Sequence, residues 1–120
     1  YNDNWDEFEQ LIHGSQPTQP VIILEFGGGA LSGHRGGEEE PFTEDNQDMI
    51  HRRQIEVLSR ADYIVGMTPW VLYDFRCPRR QNRYQRGFNR KGLIHQDKRT
   101  KKLAFHRMEE FYGRRERGEA

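Results

Sequence analysis

The chain has 120 residues, of which 33% are hydrophobic and 32% are charged, and its formal net charge is zero. This length allows one small domain, and the balanced charge gives no general attraction to nucleic acid or to an acidic membrane. Cys77 is the only cysteine, so no internal disulfide can form. No apolar run is long enough to cross a bilayer. We therefore expect a soluble protein of the cytoplasm or periplasm that binds neither nucleic acid nor membrane.

The first quarter of the chain predicts a helix followed by a strand. Asp3 or Asn4 can cap a helix whose apolar residues form one stripe; they are Trp5, Phe8, Leu11 and Ile12. Glycine, serine and prolines at 14–20 then break the helix. Residues 21–26 are mostly β-branched or aliphatic, which is typical of a strand buried on both faces.

A long loop and a second helix follow. Residues 27–41 are rich in glycine and glutamate, and a loop of this length in a compact fold is usually functional or mobile. Thr43 predicts the N-cap of a helix that ends near Ser59. Its apolar residues, which we expect to be buried, are Met49, Ile50, Val57 and Leu58.

The second half predicts one more strand and one more helix. The strand covers 63–67, a basic irregular stretch covers 76–90, and residues 93–94 form a short extended piece. Thr100 can cap the last helix, and the tail from Gly113 should fray. The apolar face of that helix consists of Ala104, Phe105, Met108, Phe111 and Tyr112.

Alternating helices and strands predict an α/β fold with a parallel sheet. Two strands cannot form a stable parallel sheet alone, because both faces and both edges need cover. We therefore interpret residues 1–120 as a fragment of a larger α/β fold and not as a complete domain.

Glu25 is the first candidate functional residue, since it ends the apolar strand just before three glycines. A buried unpaired carboxylate costs several kcal/mol, so a charge here favours a strand that ends at a cleft. Barrel enzymes present catalytic acids in this way, at the C-terminal end of a parallel strand. The alternative is a structural ion pair at the strand end.

Two further candidates come from the second half. Trp70 follows the second strand at the equivalent place, where an aromatic ring can stack on a sugar or, more commonly, fill the core. Asn89 and Lys91 are two residues apart, so in an extended backbone they point the same way and could bind a carboxylate. The alternative for this pair is a solvated basic turn.

A basic run with interleaved Tyr84 and Phe88 is the strongest sequence feature for nucleic-acid binding. The charge balance of the whole chain argues against it, and the arginines could instead pair with the acidic loop at 38–40. The run consists of Arg76, Arg79, Arg80, Arg83, Arg86, Arg90 and Lys91. The five histidines show no metal-ligand spacing, so we expect no metal and no cofactor.

Four segments together resemble the end of the catalytic barrel of glycoside hydrolase family 2. This family contains the β-glucuronidases, β-galactosidases and β-mannosidases. The segments are Leu24–Gly27, Phe42–Glu44, Thr68–Arg76 and Asn89–Leu93, in the order and spacing of the family. The resemblance implies a (β/α)8 (TIM) barrel, of which the chain covers about two βα units and a preceding helix, from the helix before the seventh strand to the helix after the eighth.

The resemblance also implies roles for the candidate residues. Glu25 matches the nucleophile of a retaining mechanism, and Trp70 matches the tryptophan beneath the sugar, with a cis bond to Val71. Asn89 and Lys91 match the pair that recognises the uronate in β-glucuronidases. The family's acid/base residue follows an asparagine on the fourth strand, and the sequence contains no Asn-Glu pair.

We therefore expect part of a retaining β-glycosidase that hydrolyses β-glucuronides and is inactive as an isolated chain. A β-galactosidase-like member of the family is the alternative enzyme. A non-catalytic module that binds an anionic partner through residues 76–91 is the alternative of another class. The expected partners are a carbohydrate substrate and the remaining barrel strands, on another chain or replaced by self-association.

Overall fold

The structure of the chain is a computed structural model that describes residues 4–119. The first four elements alternate between helix and strand, two short strands follow, and a helix ends the described chain. The second helix connects the first two strands. The helices are α1 (Trp5–Gly14), α2 (Glu44–Ser59) and α3 (Leu103–Glu116). The strands are β1 (Val21–Ile23), β2 (Ile64–Met67), β3 (Phe75–Arg76) and β4 (Phe88–Asn89). No helix in the described part of the chain is long and apolar enough to span a membrane.

Strands β1 and β2 pair in parallel, which confirms the predicted βαβ order. The first strand is shorter than predicted and ends at Ile23. The hydrogen-bond register changes at this point. Thr68 N–H donates to the Ile23 carbonyl at 2.8 Å, but Trp70 N–H donates to the carbonyl of Phe26 and not to that of Glu25, so the regular parallel ladder ends.

The N-termini of the first two helices are capped as the sequence predicts. Asn4 Oδ1 accepts from the backbone N–H of Glu7 at 3.0 Å, while the alternative cap, Asp3, lies outside the described residues. Thr43 Oγ1 accepts from Asn46 N–H at 2.9 Å, and α2 ends at Ser59. These caps satisfy backbone donors that the first helical turn leaves without partners.

The third helix does not begin as predicted. Thr100 is not its cap, because its hydroxyl and its N–H both bind the Asp97 carboxylate within a turn. The helix starts at Leu103 and continues to Glu116, past the point where we expected fraying. Its buried residues are Ala104, Met108 and Phe111, in agreement with the predicted apolar face.

The basic stretch contains a short antiparallel hairpin that the sequence did not predict. Phe75 pairs with Asn89 and Arg76 with Phe88, so β3 and β4 close the intervening residues 77–87 into a loop. The predicted extended piece is also present, since Ile94 bridges to Tyr73 on one side and to Lys101 on the other.

One face of the β1–β2 sheet is packed against helices and the other is bare. Ile23, Ile64 and Met67 contact the core, which also contains Ile55, Leu58 and Met108 of the helices. On the opposite face the exposed fractions of Ile22, Leu24 and Val65 are 58%, 74% and 65%. An apolar sheet face of this kind is normally covered, so the architecture is that of a partial domain.

Candidate active site

Glu25 lies just beyond β1, where its side chain is exposed and the backbone turns sharply. The next residue, Phe26, is buried in the core, and Gly27 has a φ of +116°. A Cβ at Gly27 would lie 2.6 Å from His51 Nε2, so only glycine fits at this point. The space that the glycine leaves is filled by the His51 ring and not by a ligand.

A stripe of buried polar side chains on one face of α2 forms hydrogen bonds to the backbone of the glycine loop, residues 27–29. Gln54 Oε1 accepts from Gly27 N–H at 2.7 Å. Gln47 Nε2 donates to the carbonyls of Gly28 and Gly92, both at 3.0 Å. Gln47 thus ties the loop that follows Glu25 to the segment that follows Lys91.

The sequence analysis missed this stripe, although two of the four apolar residues that it predicted to be buried, Val57 and Leu58, are buried. Met49 and Ile50 are only half-buried, whereas Glu44, Gln47, His51 and Gln54 are buried. The spacing of these four polar residues is that of one helix face, which was the available signal. Burial lowers the pKa of His51, whose Nδ1 lies 2.9 Å from the Gln47 carbonyl.

Trp70 is hydrogen-bonded directly to the segment that carries Glu25. Its N–H donates to the Phe26 carbonyl at 3.0 Å, one residue beyond Glu25. The Trp70–Val71 peptide bond is cis, as the family resemblance implied. The indole ring is half-buried and meets the Phe75 ring edge-on at 5.5 Å between centroids.

Asn89 and Lys91 lie on the neighbouring segment, which is hydrogen-bonded to the residue that follows Trp70. Val71 N–H donates to the Lys91 carbonyl at 3.1 Å. Asn89 is 2% exposed, and its Oδ1 accepts from the Lys91 backbone N–H at 2.9 Å. The side-chain oxygen of Asn89 is therefore occupied by the backbone, and the Lys91 side chain is half-buried.

The three predicted segments are thus neighbours, although Glu25 and Lys91 line different cavities. Glu25 lines a cavity of about 390 Å³ together with residues of α1. Lys91 lines another, of about 370 Å³, with Gly28 and Gly29. The described residues join Glu25, Trp70 and Lys91 through adjacent backbone hydrogen bonds and not through one shared cavity.

Beneath these segments lies a buried ion cluster that the sequence analysis did not identify. Lys102 Nζ donates to Asp74 Oδ1 at 2.8 Å, and Arg90 lies 3.5 Å from Asp74 Oδ2. Lys102 also donates to the carbonyls of Ala30 and Arg90, at 2.8 and 3.2 Å. One carboxylate therefore serves two cations, and all three side chains are at most 4% exposed.

Burial shifts the pKa values of the acid and the base in this cluster in opposite directions. It raises the pKa of Asp74 and lowers the pKa of Lys102, since both charged forms are desolvated. The mutual attraction of the pair and the Gly92 N–H bond to Asp74 oppose these shifts. The cluster fixes the backbone on both sides of Lys91.

Glu44 supplies the cap that α3 lacks. Its carboxylate accepts from the N–H groups of Gly33 and Leu103, at 2.7 and 2.8 Å. The N-terminus of α3 has no side-chain cap from its own N-cap residue, Lys102. A carboxylate at this place also interacts favourably with the helix dipole.

The alternative in which the arginine stretch pairs with the acidic loop at 38–40 is not found among the described residues. Glu38 pairs with Arg52 at 3.0 Å, and Glu40 lies 3.9 Å from His34. Arg90 lies 3.5 Å from the Asp74 carboxylate, which is not part of the acidic loop. In the same residues no group of three His, Cys, Asp or Glu side chains could hold a metal ion.

Comparisons with known proteins find glycosidases that act on uronic acid sugars, the β-glucuronidases and a GH2 β-galacturonidase. The chain is 29% identical over 86 residues to a β-glucuronidase from Paenibacillus borealis, which covers 72% of this chain and 14% of that protein. A β-D-glucuronidase structure from Dictyoglomus thermophilum is 32% identical, with a TM-score of 0.69 over 78% of this chain and 16% of that one. A GH2 β-galacturonidase from Eisenbergiella tayi, bound to galacturonate, is 25% identical, with a TM-score of 0.71 over 89% of this chain and 20% of that one.

No family model matches the chain. The chain spans 14–15% of the length of the curated relatives that it matches, so it corresponds to a small part of those enzymes. Sequence and backbone agree over most of the 120 residues, and the matched proteins are β-glucuronidases and a GH2 β-galacturonidase. The chain therefore resembles a segment of glycoside hydrolase family 2 enzymes and is β-glucuronidase-like.

Proposed function

We propose that residues 1–120 are the C-terminal part of a family 2 catalytic barrel that hydrolyses β-glucuronides with retention of configuration. The observation that carries this proposal is the backbone ladder from Phe26 to Trp70 and from Val71 to Lys91. It brings the ends of β1 and β2 next to the segment that follows β4, and barrel enzymes bind substrate at the C-terminal ends of their parallel strands. The relatives named above support the glycosidase class.

Glu25 is the nucleophile in this proposal. A retaining glycosidase uses two carboxyl groups about 5–5.5 Å apart. The Glu25 carboxylate attacks the anomeric carbon, the glycosidic C–O bond breaks, and an acid/base residue protonates the leaving oxygen. Water then displaces Glu25, after giving its proton to the same acid/base residue. That second residue comes from the rest of the barrel.

The other candidates hold the sugar. Trp70 provides an aromatic surface for the C–H face of the ring, in a position next to Phe75. Lys91 contributes an ammonium and Asn89 an amide N–H to the uronate, in charge-assisted hydrogen bonds. Since Asn89 Oδ1 already accepts from the backbone, its amide nitrogen is the atom left to donate.

The bare sheet face explains why the chain needs the remaining strands. Ile22, Leu24 and Val65 would face the barrel interior, where the other strands cover them. The remaining strands can be supplied on another chain, and self-association of the fragment is the alternative. In either case the isolated chain lacks an acid/base residue and should not turn over glycosides.

The decisive experiment tests Glu25 in the complete enzyme. Glu25→Ala should reduce hydrolysis of p-nitrophenyl β-glucuronide to near background, since no covalent intermediate can form. Azide should restore activity with this variant and give the glucuronosyl azide of inverted configuration, because the small anion attacks in place of the carboxylate. Glu109→Gln, at an exposed position of α3, is the control and should behave as wild type. Near wild-type turnover by Glu25→Ala would refute the assignment.

A β-galactosidase-like enzyme would use the same nucleophile, Glu25, and would differ only in the sugar that it recognises, which carries no uronate carboxylate. The relative solved with galacturonate indicates that acidic sugars of different configuration are bound within this family. A comparison of glucuronide, galacturonide and galactoside hydrolysis therefore separates the two: an acid-specific enzyme acts on the first or second far better than on the third.

A further inference from the structure

The segment that carries Lys91 has a hydrogen bond to a distant part of the chain on each side of that residue. Before it, the Arg90 carbonyl accepts from Ala30 N–H at 2.9 Å. After it, the Gly92 carbonyl accepts from Gln47 Nε2 at 3.0 Å. A segment attached at one point can pivot, whereas two attachments on opposite sides of Lys91 fix the direction in which its side chain leaves the backbone.

Gln47 connects this segment to the loop that follows Glu25 with a single side chain. Its Nε2 donates to the Gly28 carbonyl as well as to that of Gly92, both at 3.0 Å, and the side chain is fully buried. The neighbours fix the orientation of the amide, because two carbonyl oxygens can bind only its NH2 group. Gln47 Oε1 is buried and accepts no hydrogen bond from residues 4–119. A desolvated acceptor is unfavourable, so stability alone does not explain an amide at this position.

The Lys91 side chain itself lies against the glycine loop. A Cβ at Gly29 would lie 3.6 Å from Lys91 Cγ and 3.2 Å from the Arg90 carbonyl oxygen. The stem of Lys91 therefore runs along the backbone of a residue only four positions after Glu25. A change in the distance between the glycine loop and the Lys91 segment would displace the ammonium to which we assign uronate binding.

We propose that Gln47 is a positioning residue that makes the site specific for acidic sugars. It joins Gly28 to Gly92, and in this way it sets the position of the Lys91 ammonium relative to the Glu25 carboxylate. The inference rests on the proposed function and adds to it a determinant of specificity that does not touch the substrate. A uronate must reach Lys91 while its anomeric carbon lies at Glu25, so a small displacement between these two groups weakens catalysis on acidic sugars selectively.

The test measures one ratio in the complete enzyme, which is kcat/KM for p-nitrophenyl β-glucuronide divided by kcat/KM for p-nitrophenyl β-glucoside. The two substrates differ only at C6, which is a carboxylate in the first and a hydroxymethyl group in the second. Gln47→Met keeps a side chain of similar length and removes both N–H donors. It should lower the ratio about tenfold, because the contact between Lys91 and the carboxylate weakens while Glu25 remains.

The matched control is Gln54→Met, on the same buried face of α2. Gln54 Oε1 accepts from Gly27 N–H at 2.7 Å, so among the described residues it holds the glycine loop without joining it to the Lys91 segment. This variant should affect both substrates equally and leave the ratio within about twofold of wild type.

The dependence on Lys91 separates positioning from general damage. In the Lys91→Ala background no ammonium remains to be placed, so the addition of Gln47→Met should leave the ratio unchanged. If Gln47→Met does not fold, Gln47→Asn takes its place. It keeps the amide but is one methylene shorter and cannot span both carbonyls, so it should lower the ratio in the same direction.

The possible failures are distinguishable. An unchanged ratio in the folded Gln47 variant, an equal fall in Gln54→Met, or an equal fall in the Lys91→Ala background would overturn the inference while the proposed function stands. A wild type that does not hydrolyse the glucuronide, or does not prefer it to the glucoside, would refute the proposed function and, with it, this inference.

Discussion

The buried ion cluster permits a quantitative prediction for Asp74→Asn. Asparagine keeps the size of the side chain, and its Oδ1 can still accept the Gly92 N–H. The change removes the negative charge and places an NH2 group where Oδ2 faces Arg90. It leaves Lys102 and Arg90, both buried, without the one carboxylate that contacts them. Breaking a buried pair by removing one partner costs about 3–5 kcal/mol, since an uncompensated charge remains in a desolvated place.

The expected result is a large fall in the thermal midpoint of the complete enzyme. For a barrel of about 250 residues, each kcal/mol corresponds to about 2–4 °C, so we expect roughly 6–20 °C. Differential scanning calorimetry measures this shift. The matched control is Asp45→Asn, because Asp45 pairs with the exposed Arg35 in a hydrogen-bonded geometry at the protein surface. That change should lower the midpoint far less.

The pH dependence provides an independent check of the mechanism. Burial already lowers the pKa of Lys102 below its ordinary 10.5, and loss of the Asp74 charge should lower it further. When the pKa of a base is lower in the folded than in the unfolded protein, the stability is highest above the unfolded-state pKa. The stability decreases as the pH falls below that pKa, and the loss is complete once the pH has passed below the folded-state pKa. Asp74→Asn should therefore recover stability relative to wild type as the pH rises towards 10.5.

Two results would refute this reasoning. A thermal midpoint within about 2 °C of wild type at pH 7 would show that the cluster is not desolvated as the structure indicates. A difference from wild type that does not change with pH would show that the loss comes from packing and not from a buried cation. The double variant Asp74→Asn/Lys102→Met should be less destabilised than the sum of the single variants, because the two residues are in contact.

Two further predictions concern the uronate and a surface turn. Lys91→Ala should reduce kcat/KM for glucuronide about ten- to a hundredfold more than for galactoside, because a hydrogen bond to a charged group is lost; an equal reduction on both substrates would favour the β-galactosidase-like alternative. In the turn before α3, three hydrogen bonds lower the pKa of Asp97 to about 2. The Thr100 hydroxyl has the largest effect, followed by the backbone N–H groups of Thr100 and Arg99. Thr100→Val should raise that pKa towards 3.8, as measured by ¹³C NMR titration of the Asp97 carboxyl. The turn is stabilised above pH 3.8 and loses this stabilisation as the pH falls through about 2, and an unchanged pKa in Thr100→Val would contradict this account.

The features that the sequence predicted correctly are mostly local. The Thr43 cap, the length of α2 and the parallel pairing of the first two strands follow from short-range rules on capping and hydrophobic patterning. The cis bond at Trp70 was anticipated through the family resemblance alone. The wrong prediction that Thr100 caps the last helix also has a local cause, because the Thr100 hydroxyl donates to the nearby Asp97 carboxylate.

The features that the sequence did not predict depend on contacts between distant segments. Lys102 and Asp74 are 28 residues apart, and Gln47 and Gly92 are 45 residues apart. In the sequence Lys102 and Asp74 are indistinguishable from solvated surface residues, and the helical spacing of Gln47 with other polar residues of α2 identifies a face but not its burial. Strands β3 and β4 have two residues each and carry no periodicity that could reveal them.

Buried polar contacts within the chain fix some of its segments in place, whereas one sheet face has no covering partner among the described residues. Gln47 joins the carbonyls of Gly28 and Gly92, and Lys102 joins those of Ala30 and Arg90. These bonds fix the segment after Glu25 against the segment around Lys91 by contacts within the chain itself. The bare apolar face of the β1–β2 sheet has no such internal partner among the described residues. It follows that the remaining strands are needed to cover the sheet and to supply the acid/base residue, while the relative placement of the two proposed binding segments is already determined by this chain.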